Sequence, residues 1–279
     1  MPSDSLSYRD DVIAFIGGGN MASALIGGLV RGGQPASRIV VVEPFEAQRE
    51  RLAQQFGVQA QAAASARLGT AGIVVWAVKP QLFAEAAATC ARFVGGALQL
   101  SVMAGLRTGA IERASGSARI VRAMPNTPAL IGRGIAGLYA TAAVSDDERA
   151  RIEALLAPTG ALLWLPREAD LDAVTALSGS GPAYVFYVLE AMMAAATQMG
   201  LSSEQGRQLA IATFDGAAEL ARRSPEPPEV LRAQVTSKGG TTHAAISSLE
   251  ADGVRAAFVR ALRAAERRAQ EMGDEFGAA

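Results

Sequence analysis

The chain has 279 residues, half of them hydrophobic and 19% charged, with a formal net charge of −1. That balance excludes a disordered or fibrous chain, and near-neutrality without a long basic run argues against nucleic-acid binding. One cysteine, Cys90, excludes an internal disulfide and suits a reducing cytoplasm.

The length suits two domains rather than one core. Residues 1–11 are polar and acidic, lack the basic and apolar regions of a secretory signal, and read as a loose tail. From Val12 to about Pro166, strand-like and helix-like runs alternate. Strands are predicted at Val12–Ile16, Ile39–Val42, Ile73–Val78, Leu98–Val102, Arg119–Ala123, Gly134–Tyr139 and Ala161–Leu165. Helices are predicted at Met21–Val30, Glu46–Phe56, Gln81–Phe93 and Asp146–Leu156, the last opened by a Ser145/Glu148 capping box. Such alternation predicts an α/β domain of Rossmann type, with a doubly wound, mostly parallel sheet, over 12–166. Beyond Pro166 only helical signals remain, at Leu171–Leu177, Ala183–Met199, Ser203–Arg222, Glu229–Val235 and Val254–Met272. An all-helical domain is therefore expected over 167–279. Its most apolar stretch, Ala183–Met193, is shorter than the ~20 residues a bilayer span needs, so no membrane role is expected.

The first strand runs into Gly17-Gly18-Gly19-Asn20-Met21-Ala22 and then a helix, which is the G-x-G-x-x-A spacing of a dinucleotide site. Gly17 permits a tight turn, Gly19 lets a pyrophosphate approach the backbone, and Ala22 allows close helix–strand packing. The helix N-terminus then faces the phosphate charge. A plain glycine-rich βα turn is the alternative. Glu43 ends the second strand, where an acid accepts hydrogen bonds from the adenosine ribose and repels a 2′-phosphate. The alternative is a Glu43 turned to solvent, and Arg49 and Arg51 lie too far into the next helix to offset its charge. Ala77-Val78-Lys79-Pro80 sits at the end of the apolar strand run Ile73–Val78, on the ligand side of such a sheet, unless Lys79 is simply solvated.

Met124-Pro-Asn-Thr-Pro-Ala129 is a loop stiffened by two prolines around Asn126 and Thr127. Ser178-Gly-Ser-Gly-Pro182 opens a long apolar helix and serves either domain closure or substrate. Val235-Thr-Ser-Lys-Gly-Gly-Thr-Thr-His-Ala-Ala-Ile-Ser-Ser-Leu-Glu250 sets Gly239 and Gly240 among hydroxyls, ahead of an apolar helical pattern. Its backbone N–H groups can form a nest for a small carboxylate, or the segment is a polar capping turn. One histidine, one cysteine and no clustered carboxylates imply no metal site.

These motifs, taken with Phe15–Ala22 and in this order, resemble pyrroline-5-carboxylate reductases over nearly the whole chain, most specifically at Met124–Ala129 and 228–250. The resemblance implies hydride reduction of 1-pyrroline-5-carboxylate to L-proline by NADPH or NADH, in the cytoplasm. It implies Asn126 and Thr127 beside the nicotinamide, and the substrate carboxylate on Ser237, Gly239, Gly240 and Thr241. Thr242 matches the threonine that hydrogen-bonds the ring nitrogen and is the catalytic candidate. His243, the only histidine, is not fixed by the motif and reads as a helix-start residue. A homodimer through the C-terminal helices, or a ring of dimers, is implied as well. Glu43 departs from the many NADPH-using members that lack an acid there. Another imine or hydroxy-acid reductase of the same plan, or a non-catalytic dinucleotide sensor, fits the same outline.

Overall fold

The computed structural model describes residues 11–277. The expected loose tail falls outside them except for Asp11, which is held in place. Its carboxylate accepts from Arg151 Nε at 3.0 Å and its carbonyl from Gln34 Nε2 at 3.0 Å.

Eight strands form one sheet: β1 (Val12–Ile16), β2 (Ile39–Val42), β3 (Ala60–Gln61), β4 (Ala71–Trp76), β5 (Leu98–Ser101), β6 (Ile120–Met124), β7 (Gly134–Ala140) and β8 (Gly160–Trp164). The order is β3-β2-β1-β4-β5-β6-β7-β8. Helices α1 (Asn20–Arg31), α2 (Glu46–Phe56), α3 (Phe83–Val94), α4 (Thr108–Ser115) and α5 (Asp146–Leu156) lie between strands. Every pairing is parallel except β6 with β7. The exception has a covalent cause. Parallel neighbours need a crossover of a dozen or more residues, whereas β6 and β7 are joined by a short proline-rich turn that folds the chain back.

The strands read as continuous apolar runs because both faces of the sheet are covered. Ile13 and Phe15 enter one core with α1 and α5, while Ala14 and Ile16 enter another with α3 and α4. Two elements among these were not expected from the sequence. The two-residue β3 is too short to carry a period, and α4, Thr-Gly-Ala-Ile-Glu-Arg-Ala-Ser, buries only one large apolar residue, Ile111. The Ser145/Glu148 capping box forms reciprocally, as does Ser202/Gln205 at the start of α8.

After β8 come α6 (Asp170–Val174), a wide turn over Thr175–Gly179, α7 (Gly181–Gln198), α8 (Ser203–Arg223), α9 (Pro228–Gln234), α10 (Thr241–Ala251) and α11 (Val254–Gly277). Packing divides the described residues into two compact units, Gly181–Ala264 on one hand and residues 11–180 together with 265–277 on the other. Residues 167–180 thus pack with the sheet. In the helical unit α7 and α8 meet through small residues: a Cβ on Gly206 would stand 2.8 Å from that of Ala196. Large apolar side chains remain at the unit's surface, among them Phe186, Tyr187, Leu209, Leu220, Phe258 and Val259.

Candidate active site

One candidate site is the turn after β1. Gly17 has φ +96°, and a Cβ there would stand 2.7 Å from the carbonyl oxygen of Ala77, so only glycine fits. Its N–H donates to the Val42 carbonyl at 2.9 Å. Gly18 is held on both sides of its backbone. Its N–H donates to Glu43 Oε2 at 2.8 Å, and its carbonyl accepts from Gln48 Nε2 and from Ser23 Oγ. Gly19 is the N-cap of α1, with ordinary extended dihedrals. It is exposed, and no described atom lies within 4 Å of where its Cβ would be. The backbone therefore faces open space there. The N–H groups of Asn20, Met21 and Ala22 begin α1 without intrahelical partners, at the positive end of the helix. Ala22 is fully buried against the sheet. This cradle fits a dinucleotide pyrophosphate.

Glu43 is buried at 6% exposure rather than turned to solvent. Besides the Gly18 N–H, its other oxygen accepts the N–H of Phe45 at 3.0 Å. Arg49 donates to the carbonyls of Glu43 and Pro44, at 3.1 and 2.6 Å.

Ala77-Val78-Lys79-Pro80 leaves the carboxyl end of β4 beside Gly17, with Ala77 N–H donating to the Ile16 carbonyl at 2.8 Å. The strand end is anchored by a buried hydrogen bond, Trp76 Nε1 to Gln99 Oε1 at 2.9 Å. Lys79 is exposed and precedes a short turn begun by Pro80. A cavity of about 350 Å³ opens behind that turn, lined by Phe83, Ala87, Leu106, Ala110, Arg113 and Phe276; of the sequence candidates only Pro80 reaches it. The loop after β6 is rigid for a reason beyond its prolines. Asn126 Oδ1 accepts the Ile135 N–H at 3.0 Å, and Nδ2 donates to the Ser178 carbonyl at 3.2 Å, which leaves one amide hydrogen for a ligand. Thr127 is exposed at the start of a 3-10 turn.

Sequence reasoning missed a polar hub that braces this side of the sheet. Arg122 on β6 is 4% exposed and donates to Glu168 Oε1 at 2.8 Å. The same carboxylate accepts from Thr108 N at 2.7 Å and Thr108 Oγ1 at 2.9 Å, while Arg107 pairs bidentately with Asp172. Burial lowers the pKa of Arg122, against the pull of Glu168. Only the apolar-looking strand around Arg122 hinted that the arginine was buried.

A second candidate site lies within the helical unit. Gly239 takes φ +76°, and Gly240 N–H donates to the Ser237 carbonyl at 3.1 Å. A Cβ on Gly240 would meet Ser237 Oγ at 2.7 Å. Gly240 is also the N-cap of α10, whose first residues are Thr241, Thr242 and His243. Their N–H groups have no intrahelical partner, so this capping turn presents backbone donors that can hold a small anion. Thr242 is half-buried, whereas Ser237, Gly239, Thr241 and His243 are exposed.

The family described as pyrroline-5-carboxylate reductase dimerisation matches residues 168–272, and that described as NADP oxidoreductase, coenzyme F420-dependent, matches 12–105. A pyrroline-5-carboxylate reductase of Pseudomonas aeruginosa is 43% identical over 267 residues, covering 95% of this chain and 98% of its own. That of Haemophilus influenzae is 39% identical, covering 94% and 97%. The Coxiella burnetii pyrroline-5-carboxylate reductase structure superposes with a TM-score of 0.85 at 37% identity, covering 94% of this chain and 98% of its own. The Plasmodium falciparum enzyme, solved with NADP bound, gives 0.85 at 27% identity, covering 95% and 99%. The glycine cradle at one end and the Gly239–Gly240 helix start at the other thus lie within a likeness of nearly full length, and the chain belongs to the pyrroline-5-carboxylate reductase family.

Proposed function

We propose that the chain reduces 1-pyrroline-5-carboxylate to L-proline with NADPH or NADH, acting in the cytoplasm as a homodimer or a ring of dimers. Residues 12–166 serve the cofactor, and residues 167–279 serve substrate binding and self-association. The observation that carries the reading is the start of α10, where glycine conformations, free N–H groups and hydroxyls converge. A bound reduced nicotinamide supplies the hydride that adds to the C=N carbon.

The chain's own residues bind and orient. The N–H groups behind Asn20, Met21 and Ala22 hold the pyrophosphate, with Gly17 and Gly18 shaping the turn and Gly19 leaving room for it. Ala77, Val78, Lys79 and Pro80 flank the cofactor, and Asn126 and Thr127 border the nicotinamide. Ser237 and the backbone at Gly239, Gly240 and Thr241 take the carboxylate. The Thr242 hydroxyl bonds the ring nitrogen; the imine enters protonated, so hydride addition at carbon moves the C=N π pair onto nitrogen and leaves a neutral amine. Orientation of the two reactants supplies much of the rate. The apolar surface of Gly181–Ala264, with Phe186, Tyr187 and Phe258 exposed, supports self-association. Among the described residues no helix is long and apolar enough to cross a membrane.

Initial rates with the imine and each cofactor test the reaction, and L-proline oxidation against other amino and hydroxy acids tests the substrate. Thr242→Ala is expected to lower kcat/KM about tenfold to a hundredfold, as one hydrogen bond to a charge-developing group is worth roughly 1.5–3 kcal/mol. Thr242→Ser retains most activity, and Thr241→Ala is milder. Wild-type kcat/KM in Thr242→Ala would remove Thr242 from the site.

A further inference from the structure

We infer that Glu43 makes this chain select NADH over NADPH. The inference rests on the glycine turn being the dinucleotide cradle. In that fold the adenosine ribose lies beside the end of β2. Glu43 stands there, buried, with each carboxylate oxygen accepting one backbone N–H, from Gly18 at 2.8 Å and from Phe45 at 3.0 Å. An ionised carboxylate has about four acceptor positions, so two remain for ribose hydroxyls.

The carboxylate cannot swing aside. Its stem packs under the turn, where a Cβ on Gly18 would stand 3.3 Å from both Cβ and Cγ of Glu43. Moving it would also strand two N–H donors, one of them in the cofactor turn. The 2′-phosphate of NADPH is a monoester with about −1.5 to −2 charge at pH 7. It would meet a fixed negative charge instead of an acceptor for the 2′-hydroxyl. The nearest candidate for compensation, Arg49, is engaged by the carbonyls of Glu43 and Pro44. The second strand of this chain thus carries the acid suited to a free ribose and no clamp for a phosphate.

The test is equilibrium binding to the full-length protein without substrate, read by nicotinamide or tryptophan fluorescence and by calorimetry. Wild-type protein is expected to bind NADH about tenfold or more tightly than NADPH, and ADP-ribose correspondingly more tightly than 2′-phospho-ADP-ribose, a pair that isolates the phosphate. In Glu43→Gln the NADH/NADPH affinity ratio is expected to fall about tenfold. Loosening of the turn would weaken both dinucleotides alike and leave that ratio unchanged, so an unchanged ratio in a folded variant overturns the inference. Equal or NADPH-favoured binding by the wild type overturns it without needing the variant. If neither dinucleotide binds, the cradle itself is misread and the proposed function fails with it.

Discussion

Two glycines of one turn are expected to fail in opposite ways when replaced by alanine. Gly17→Ala is a folding perturbation. A non-glycine residue forced to φ +96° loses about 1–2 kcal/mol. The new methyl would also stand 2.7 and 2.8 Å from the Ala77 carbonyl oxygen and carbon, which are main-chain atoms that cannot rotate away. Overpacking of that kind adds about 1–3 kcal/mol. The sum, about 2–5 kcal/mol, corresponds to a Tm lowered by roughly 4–20 °C for a unit of this size. Gly19→Ala is a binding perturbation. Its backbone is extended at φ −66° and ψ −168°, which any residue adopts, and no described atom lies within 4 Å of the added methyl. Its cost to folding is within about 0.5 kcal/mol. The methyl would occupy the approach path of the pyrophosphate, so NAD(P)H affinity is expected to fall by about tenfold or more. Thermal unfolding and cofactor titration of the two variants side by side make the comparison. A Gly19→Ala protein with unchanged cofactor Kd would refute the assignment of the open face to the pyrophosphate. A Gly17→Ala protein with unchanged Tm would refute the steric argument.

Glu168→Ala leaves the buried Arg122 and the Thr108 N–H without their shared partner and is expected to cost about 3 kcal/mol, seen as a lower Tm. The double change Arg122→Met with Glu168→Leu should recover much of that loss, and a single-variant loss under about 1 kcal/mol would show that the hub does not brace the sheet. His243→Asn should keep most of its kcat/KM and its pH profile, because the side chain is exposed on the first turn of α10. A fall beyond about a hundredfold, about 2.7 kcal/mol of transition-state stabilisation, would identify His243 as an acid catalyst.

What the sequence determined by itself is what is encoded within a few neighbouring residues. β1, β2, α2 and α5 have the predicted bounds, because apolar period and turn chemistry are local. The Ser145/Glu148 capping box was legible for the same reason, since Ser145 needs only a partner three residues on. The left-handed conformations at Gly17 and Gly239 were legible because glycine is the residue that adopts them without strain.

Tertiary structure decided whatever depends on partners distant in sequence. Nothing near Glu43 says that its carboxylate turns inward to a glycine 25 residues earlier, and nothing near Arg122 announces Glu168, 46 residues later. Asn126 looked like a group aimed at a ligand, yet most of its amide is spent on Ile135 and Ser178, which makes the loop rigid before any ligand arrives. The strand order and the packing of residues beyond Ala265 with the sheet unit follow from which surfaces bury each other. A local pattern sets which face of an element is apolar. The identity of the surface that covers it is set only when the whole chain competes for the same core.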